Sequence, residues 1–172
     1  MPLLVATGNP GKLSEFRRLL RGIEILSPQE AGGESLSVPE TGATFHDNAL
    51  LKARAFAEAT GLVSLADDSG LQVDALGGGP GVYSARYGGP DLDDAGRCRQ
   101  LLRDLDGVPA DERGARFRCC LVGIAADGRC VAAEGVCEGR ILEACRGQGG
   151  FGYDPVFWVA EIGRAMAELR AD

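Results

Sequence analysis

Leu3-Leu4-Val5-Ala6-Thr7-Gly8-Asn9-Pro10-Gly11-Lys12 decides how this chain begins to fold. Residues 3–6 form a short apolar run fit for a buried strand. Residues 7–11 gather turn formers. Asn9 is placed to cap a helix, and Pro10 suits the first helical position. Leu13, Phe16, Leu19 and Leu20 then recur at helical spacing, and Gly22 ends the run. Such a strand–turn–helix joint brings free backbone N–H groups and the positive end of the helix dipole together, which favours an anion. Lys12 adds a formal charge in the first turn, a placement poor for helix stability but good for holding phosphate. The segment is not a P-loop: with Gly11-Lys12 aligned to that motif's Gly-Lys, Ala6 takes the place of its first glycine and Leu13 that of its Ser/Thr. A plain structural joint is the competing reading.

The same alternation continues outward. Residues 27–42 are rich in Gly, Ser, Pro and Glu and read as a loop with one edge strand. Residues 44–60 read as a helix opened by Thr44 and closed by Gly61, with Phe45, Ala49 and Phe56 on one stripe. Residues 63–66 read as a second buried strand that ends in Asp67-Asp68-Ser69-Gly70. Residues 76–89 are irregular, and residues 91–104 form a third helix with an acidic start. Residues 116–126 and 129–136 pair around the hairpin signal Asp127-Gly128. A glycine-rich loop covers residues 147–153, and residues 162–169 read as helical. Early strand–helix alternation with a late hairpin predicts an α/β protein with a mixed sheet. No repeat or linker divides it, so residues 1–172 are expected to form a single domain.

Composition narrows the function. The chain is 45% apolar and 25% charged, an ordinary globular balance. No apolar run approaches the ~20 residues of a membrane span, and the N-terminus has no basic leader, so the expected compartment is the cytoplasm. A net charge of −7 argues against a nucleic-acid polymer as partner but not against a small phosphorylated ligand. The six cysteines contain no C-x-x-C pair and the only histidine, His46, is remote in sequence, so reduced thiols are expected rather than zinc.

Sixteen of the eighteen basic residues are arginine; the lysines are Lys12 and Lys52. Such usage suits sites that need a compact ammonium, with chance as the alternative. Lys52 lies beside the apolar stripe of the second helix, one turn after Asn48, where it either snorkels to solvent or points into a polar cleft. Paired carboxylates at a strand end, Asp67 and Asp68, are typical of a Mg²⁺ site that also contacts phosphates, against the alternative of an acidic turn. Glu40 is a further candidate carboxylate, by itself an ordinary loop acid. Phe151 and Tyr153 among glycines offer either a stacking surface for a base or two core aromatics in a tight loop.

ATGNPGKLSEF, ETGATFHDNALLKARA, LADDSGLQVDALGGGPGVYSARY, FRCCL and GQGGFGYDPVF occur in that order along nearly the whole chain, and both lysines fall inside them. Together these strings resemble the inosine triphosphate pyrophosphatase family, also called XTP/dITP diphosphatases. The resemblance implies an elongated, two-lobed α/β fold, with a central mixed, twisted sheet and the nucleotide in a cleft between the lobes. It implies a homodimer that hydrolyses ITP, dITP and XTP to the monophosphate and pyrophosphate with Mg²⁺. Carried over by residue, Thr7, Gly8, Asn9, Pro10, Gly11 and Lys12 hold the triphosphate and Lys52 neutralises its charge. Glu40 and Asp68 bind Mg²⁺, Asp68 also serves as general base, Ser69 touches the substrate, and Phe151, Gly152, Tyr153 and Asp154 line the base pocket.

After GFGYDPVF the family continues through a helix to a lysine and a Ser-His-Arg motif that help select the 6-oxo purine. Here no lysine follows Lys52 and the chain closes at Asp172, so that segment is expected to be lacking. Two other readings follow from this: a nucleotide-binding remnant without turnover, and a pyrophosphatase for other modified nucleoside triphosphates.

Overall fold

A computed structural model describes residues 2–33 and 36–169. Seven strands form one mixed sheet: β1 (Leu3–Val5), β2 (Ile25–Leu26), β3 (Val63–Val73), β4 (Gly114–Ile124), β5 (Cys130–Ile141), β6 (Phe157–Val159) and β7 (Arg164–Ala165). Their order is β2-β1-β3-β4-β5-β6-β7. β1 runs parallel to both β2 and β3, and β6 runs antiparallel to β5 and β7. The helices are α1 (Pro10–Leu19), α2 (Phe45–Thr60) and α3 (Asp94–Asp104). The expected α/β class with a mixed sheet is what the chain adopts.

The chain divides into two compact units. The first comprises Met1–Asp68 and Cys119–Gly135, and the second Ser69–Arg118 and Val136–Asp172. In the first, α2 is the best-specified element. Thr44 Oγ1 accepts the Asp47 amide at 3.1 Å, and Gly61 ends the helix at φ 69°, a left-handed conformation that costs glycine little. The buried face of α2 carries Phe45, Asn48, Ala49, Ala53, Phe56 and Ala57, so a polar asparagine sits inside an apolar stripe. α1 starts as its sequence directs, with Asn9 as cap and Pro10 in the first turn, yet it buries no residue fully. Its stripe is only half sunk, and Leu19 is 70% exposed.

The core of the second unit joins Leu71 and Val73 of β3, Cys98 and Leu101 of α3, Ile141, Tyr153, Val156 and Phe157. Arg113 is buried beside it. Its guanidinium donates to three main-chain carbonyls, those of Leu105 (2.9 Å), Val108 (3.0 Å) and Leu142 (3.2 Å), tying the end of α3 to the end of β5.

Four elements depart from expectation. Among the described residues of 27–42 there is no strand; the edge strand is β2, just before them. β3 does not end before Asp67 but runs eleven residues to Val73, through Asp67-Asp68-Ser69-Gly70. The polar residues there are satisfied by side chains from elsewhere, which permits a strand where local composition signals a turn. Residues 162–169 are not an α-helix. Arg164–Ala165 is β7, and only Met166–Glu168 forms a 3-10 turn. β6 pairs Trp158 with Arg140 and Ala165 at a place where the sequence predicts no element.

Arg113→Ala leaves three carbonyls without their donor. We expect a loss of about 3 kcal/mol, from roughly 1 kcal/mol per lost hydrogen bond, read as a lower urea midpoint with unchanged slope.

Candidate active site

The first unit gathers most of the polar groups singled out in the sequence. Neighbouring residues of a strand point to opposite faces, and on β3 Asp67 and Asp68 find different partners accordingly. Asp67 Oδ2 pairs with Lys12 Nζ at 2.6 Å. Asp68 Oδ1 lies 3.8 Å from Lys52 Nζ, which also pairs with Glu40 Oε1 at 2.7 Å. Both aspartates are buried, at 3% and 6% exposure. The only two lysines of the chain thus each meet one member of a buried carboxylate pair. Lys52 does not snorkel: its side chain is 15% exposed, and it lies one turn from each of the buried residues Asn48 and Phe56.

Asn48 is a residue that sequence reading left without a role. It is fully buried, donates Nδ2 to Asp68 Oδ2 at 3.0 Å and accepts the Gly42 amide on Oδ1 at 2.7 Å. The signal available for it was an asparagine on a helical apolar stripe, a poor helix former in a costly place. Gly42 is required here by space alone. A Cβ would sit 2.6 Å from Asp47 Cβ and 2.7 Å from Asn48 Oδ1. The Pro39–Gly42 segment is therefore held against the start of α2, and Glu40 is a held acid rather than a free one.

The turn before α1 is narrower as an anion cradle than its sequence implies. Asn9 Oδ1 takes the amides of Gly11 (2.8 Å) and Lys12 (3.2 Å), Thr7 Oγ1 takes that of Asn9, and the Thr7 amide bonds Val5 O. What faces outward is Gly8, which is exposed and where an added Cβ meets nothing within 4 Å. Gly8 and Lys12 are thus the groups of this turn best placed for an anion.

Burial pushes the Asp68 carboxyl above its ordinary range; the Asn48 bond and the Lys52 charge pull it down but do not cancel that. Cys119, on β4, is driven to about 11 by burial and then by the Asp67 charge, so it stays a thiol and offers no nucleophile at neutral pH. Among the described residues no three or more His, Cys, Asp or Glu side chains could hold a metal by themselves. Glu40 and Asp68 flank the same ammonium, that of Lys52.

The second unit carries the glycine-rich loop. Phe151 is 37% exposed, whereas Tyr153 is 4% exposed and donates its hydroxyl to Ser84 O at 2.8 Å. Of the two aromatics expected to present a stacking surface, Tyr153 is a core residue and only Phe151 is available. Asp154 Oδ2 accepts the Phe151 amide at 2.9 Å, and Ser69 lies half-buried on β3.

Comparison with known proteins gives a consistent picture. The Ham1 family model matches residues 3–172. The dITP/XTP pyrophosphatase of Desulforamulus reducens is 52% identical over 98% of this chain and 85% of that protein. That of Bacillus subtilis is 46% identical over 98% of this chain and 86% of that protein. The structure of the Staphylococcus aureus Ham1 protein superposes with a TM-score of 0.88 at 36% identity, covering 99% of this chain and 88% of that one. A crystal structure of nucleoside-triphosphatase / dITP/XTP pyrophosphatase from Mycobacterium abscessus gives 0.82 at 46% identity, with 99% and 90% covered.

Asp68→Asn tests the electrostatics of the site. A carboxyl with a raised folded pKa costs nothing below about pH 4, where both states are protonated. As pH rises, the unfolded chain ionises first, so stability falls until the folded-state pKa is passed. The asparagine does not titrate and still offers Asn48 an acceptor. At pH 7 we expect its Tm to exceed the parent's, and the gain to vanish below about pH 4, where both states are protonated. A Tm several degrees lower at pH 7 would show that Asp68 is a net stabilising charge.

Proposed function

This chain belongs to the Ham1 family, and we propose on that footing that it hydrolyses non-standard purine nucleoside triphosphates, ITP, dITP and XTP, to the monophosphate and pyrophosphate. The observation that carries this reading is the placement of both lysines against a buried carboxylate pair. An acidic protein, at net −7, that concentrates its two compact ammonium groups in this way is suited to a ligand bearing several negative charges. Phosphoryl chemistry asks mainly for positioning and charge neutralisation.

In this reading the start of α1, with Gly8 and Lys12, holds the phosphate chain, and Lys52 compensates its charge. Thr7, Asn9, Pro10 and Gly11 shape the turn that presents them. Glu40 and Asp68 hold Mg²⁺. Two carboxylates together with substrate phosphates are a usual Mg²⁺ environment, so the absence of a third protein ligand among the described residues does not conflict. Such an ion supplies positive charge against the phosphoryl oxygens. Asn48 donates to Asp68 Oδ2, so Oδ1, which faces Lys52 Nζ at 3.8 Å, is the atom that would orient the attacking water. Burial raises the Asp68 carboxyl, but a bound Mg²⁺ would draw it down again, so Asp68 would orient the water while the ion lowers the water's own pKa. Phe151 stacks on the purine, Gly152 and Asp154 complete the loop around it, and Ser69 touches the substrate.

The same proposal includes a homodimer working in the cytoplasm. Among the described residues no helix is long and apolar enough to cross a membrane.

Pyrophosphate release is the direct test. With ITP and millimolar Mg²⁺ we expect turnover that exceeds that with ATP or GTP at least about tenfold, the ratio set by ~1.4 kcal/mol, and that stops on adding excess EDTA. No pyrophosphate from ITP or XTP at micromolar enzyme would remove the assignment.

Gly8→Ala separates ligand approach from folding. Since the new methyl meets no protein atom within 4 Å and Gly8 does not have a positive φ, Tm should stay level or rise slightly. The KM for ITP should rise about tenfold, as expected if ~1.4 kcal/mol of phosphate contact is lost. An unchanged KM would move the phosphates away from this turn.

A further inference from the structure

One turn of α3 grips the loop that carries Phe151. Gly152 donates its amide to Asp94 Oδ2 at 2.8 Å, and its carbonyl accepts the thiol of Cys98 at 3.3 Å. Both faces of a single peptide-bearing residue are thus tied to side chains four apart on the same helix, a spacing that puts them on one surface. Arg97 takes the other carboxylate oxygen, with Nη1 3.4 Å from Asp94 Oδ1, so Asp94 is itself steered. Cys98 is 1% exposed and burial raises its pKa to about 12, so the thiol keeps the proton it donates. Within the loop, Asp154 ties back to the Phe151 amide and Tyr153 anchors to Ser84. Gly152 sits at φ 60°, and Asp94 and Cys98 together hold the donor and the acceptor of its backbone, which fixes its peptide orientation.

We propose that Asp94 and Cys98 are positioning residues for base selection: by holding both polar groups of Gly152 they set the pose of Phe151. The inference rests on the reading that Phe151 stacks on the purine. Neither side chain needs to touch substrate. A charge-assisted hydrogen bond is the stronger tether, so Asp94 should weigh more than Cys98.

The test compares Asp94→Ala, Asp94→Asn, Cys98→Ala, Cys98→Ser and Phe151→Ala in steady-state assays with ITP and ATP, each checked by its melting curve. Asp94→Ala is expected to raise the KM for ITP about tenfold, the factor that ~1.4 kcal/mol gives, with kcat changed less than about twofold. The preference for ITP over ATP should fall in step. Asp94→Asn loses the charge near the helix N-terminus but keeps an acceptor, so its KM and preference should recover. Cys98→Ala should show a smaller shift that Cys98→Ser, which still donates, reverses. A merely structural role would lower Tm in the alanine and asparagine variants alike and leave preference untouched. If Phe151→Ala loses the preference while Asp94→Ala and Cys98→Ala keep it, the clamp is wrong and the stacking stands. If Phe151→Ala also keeps it, the loop does not read the base, and both ideas fall.

Discussion

Placing two carboxylates side by side in a buried stretch of β3 is tolerable only because each finds a cation. An unpaired buried charge costs several kcal/mol, and a paired one often no more than breaks even. Lys12 and Lys52 therefore do not so much stabilise this protein as make its polar centre possible. The constraint reaches outward from there. α1 must start where Lys12 reaches Asp67, α2 must turn Lys52 toward Asp68, and the Pro39–Gly42 segment must close on α2 to bring Glu40 to the same ammonium. Asn48 completes the arrangement by donating to one oxygen of Asp68 while Lys52 faces the other.

Such a centre is easier to reconcile with function than with stability. A sequence selected for folding alone has little reason to sink Asp67 and Asp68, or to set an asparagine in the apolar face of a helix. Sites that break local rules in this way are where activity and stability are traded. The raised pKa of Asp68 shows the cost in one group: the same desolvation that pushes its carboxyl up makes the folded state harder to keep once that carboxyl ionises.

Much of this was legible in the residues, and the limits have physical causes. Helix ends marked by Asn9, Thr44 and Gly61 were readable because caps act within three or four residues of chain. The pairing of β3 through Asp67-Asp68-Ser69-Gly70 was not, since the partners that rescue its polar groups come from α1 and α2. The half-exposed stripe of α1 and the strand at Arg164–Ala165 depend likewise on which surfaces other elements cover, and apolar spacing does not record that. For the site, the lysines and Asp68 stood out by type and place, whereas Asn48, Asp94 and Cys98 act through another residue and carry no motif of their own. Tyr153 and Phe151 look alike in sequence; only the Ser84 carbonyl tells the core ring from the exposed one.

The distribution of thiols has a practical side. Cys130 and Cys145 are exposed, while Cys98 and Cys120 are buried and Cys119 is held protonated beside Asp67. A maleimide dye added at neutral pH would therefore decorate the surface first and spare the polar centre. The native chain comes with attachment points for fluorescence, one on β5 and one in the segment leading to the glycine-rich loop, without any engineered cysteine.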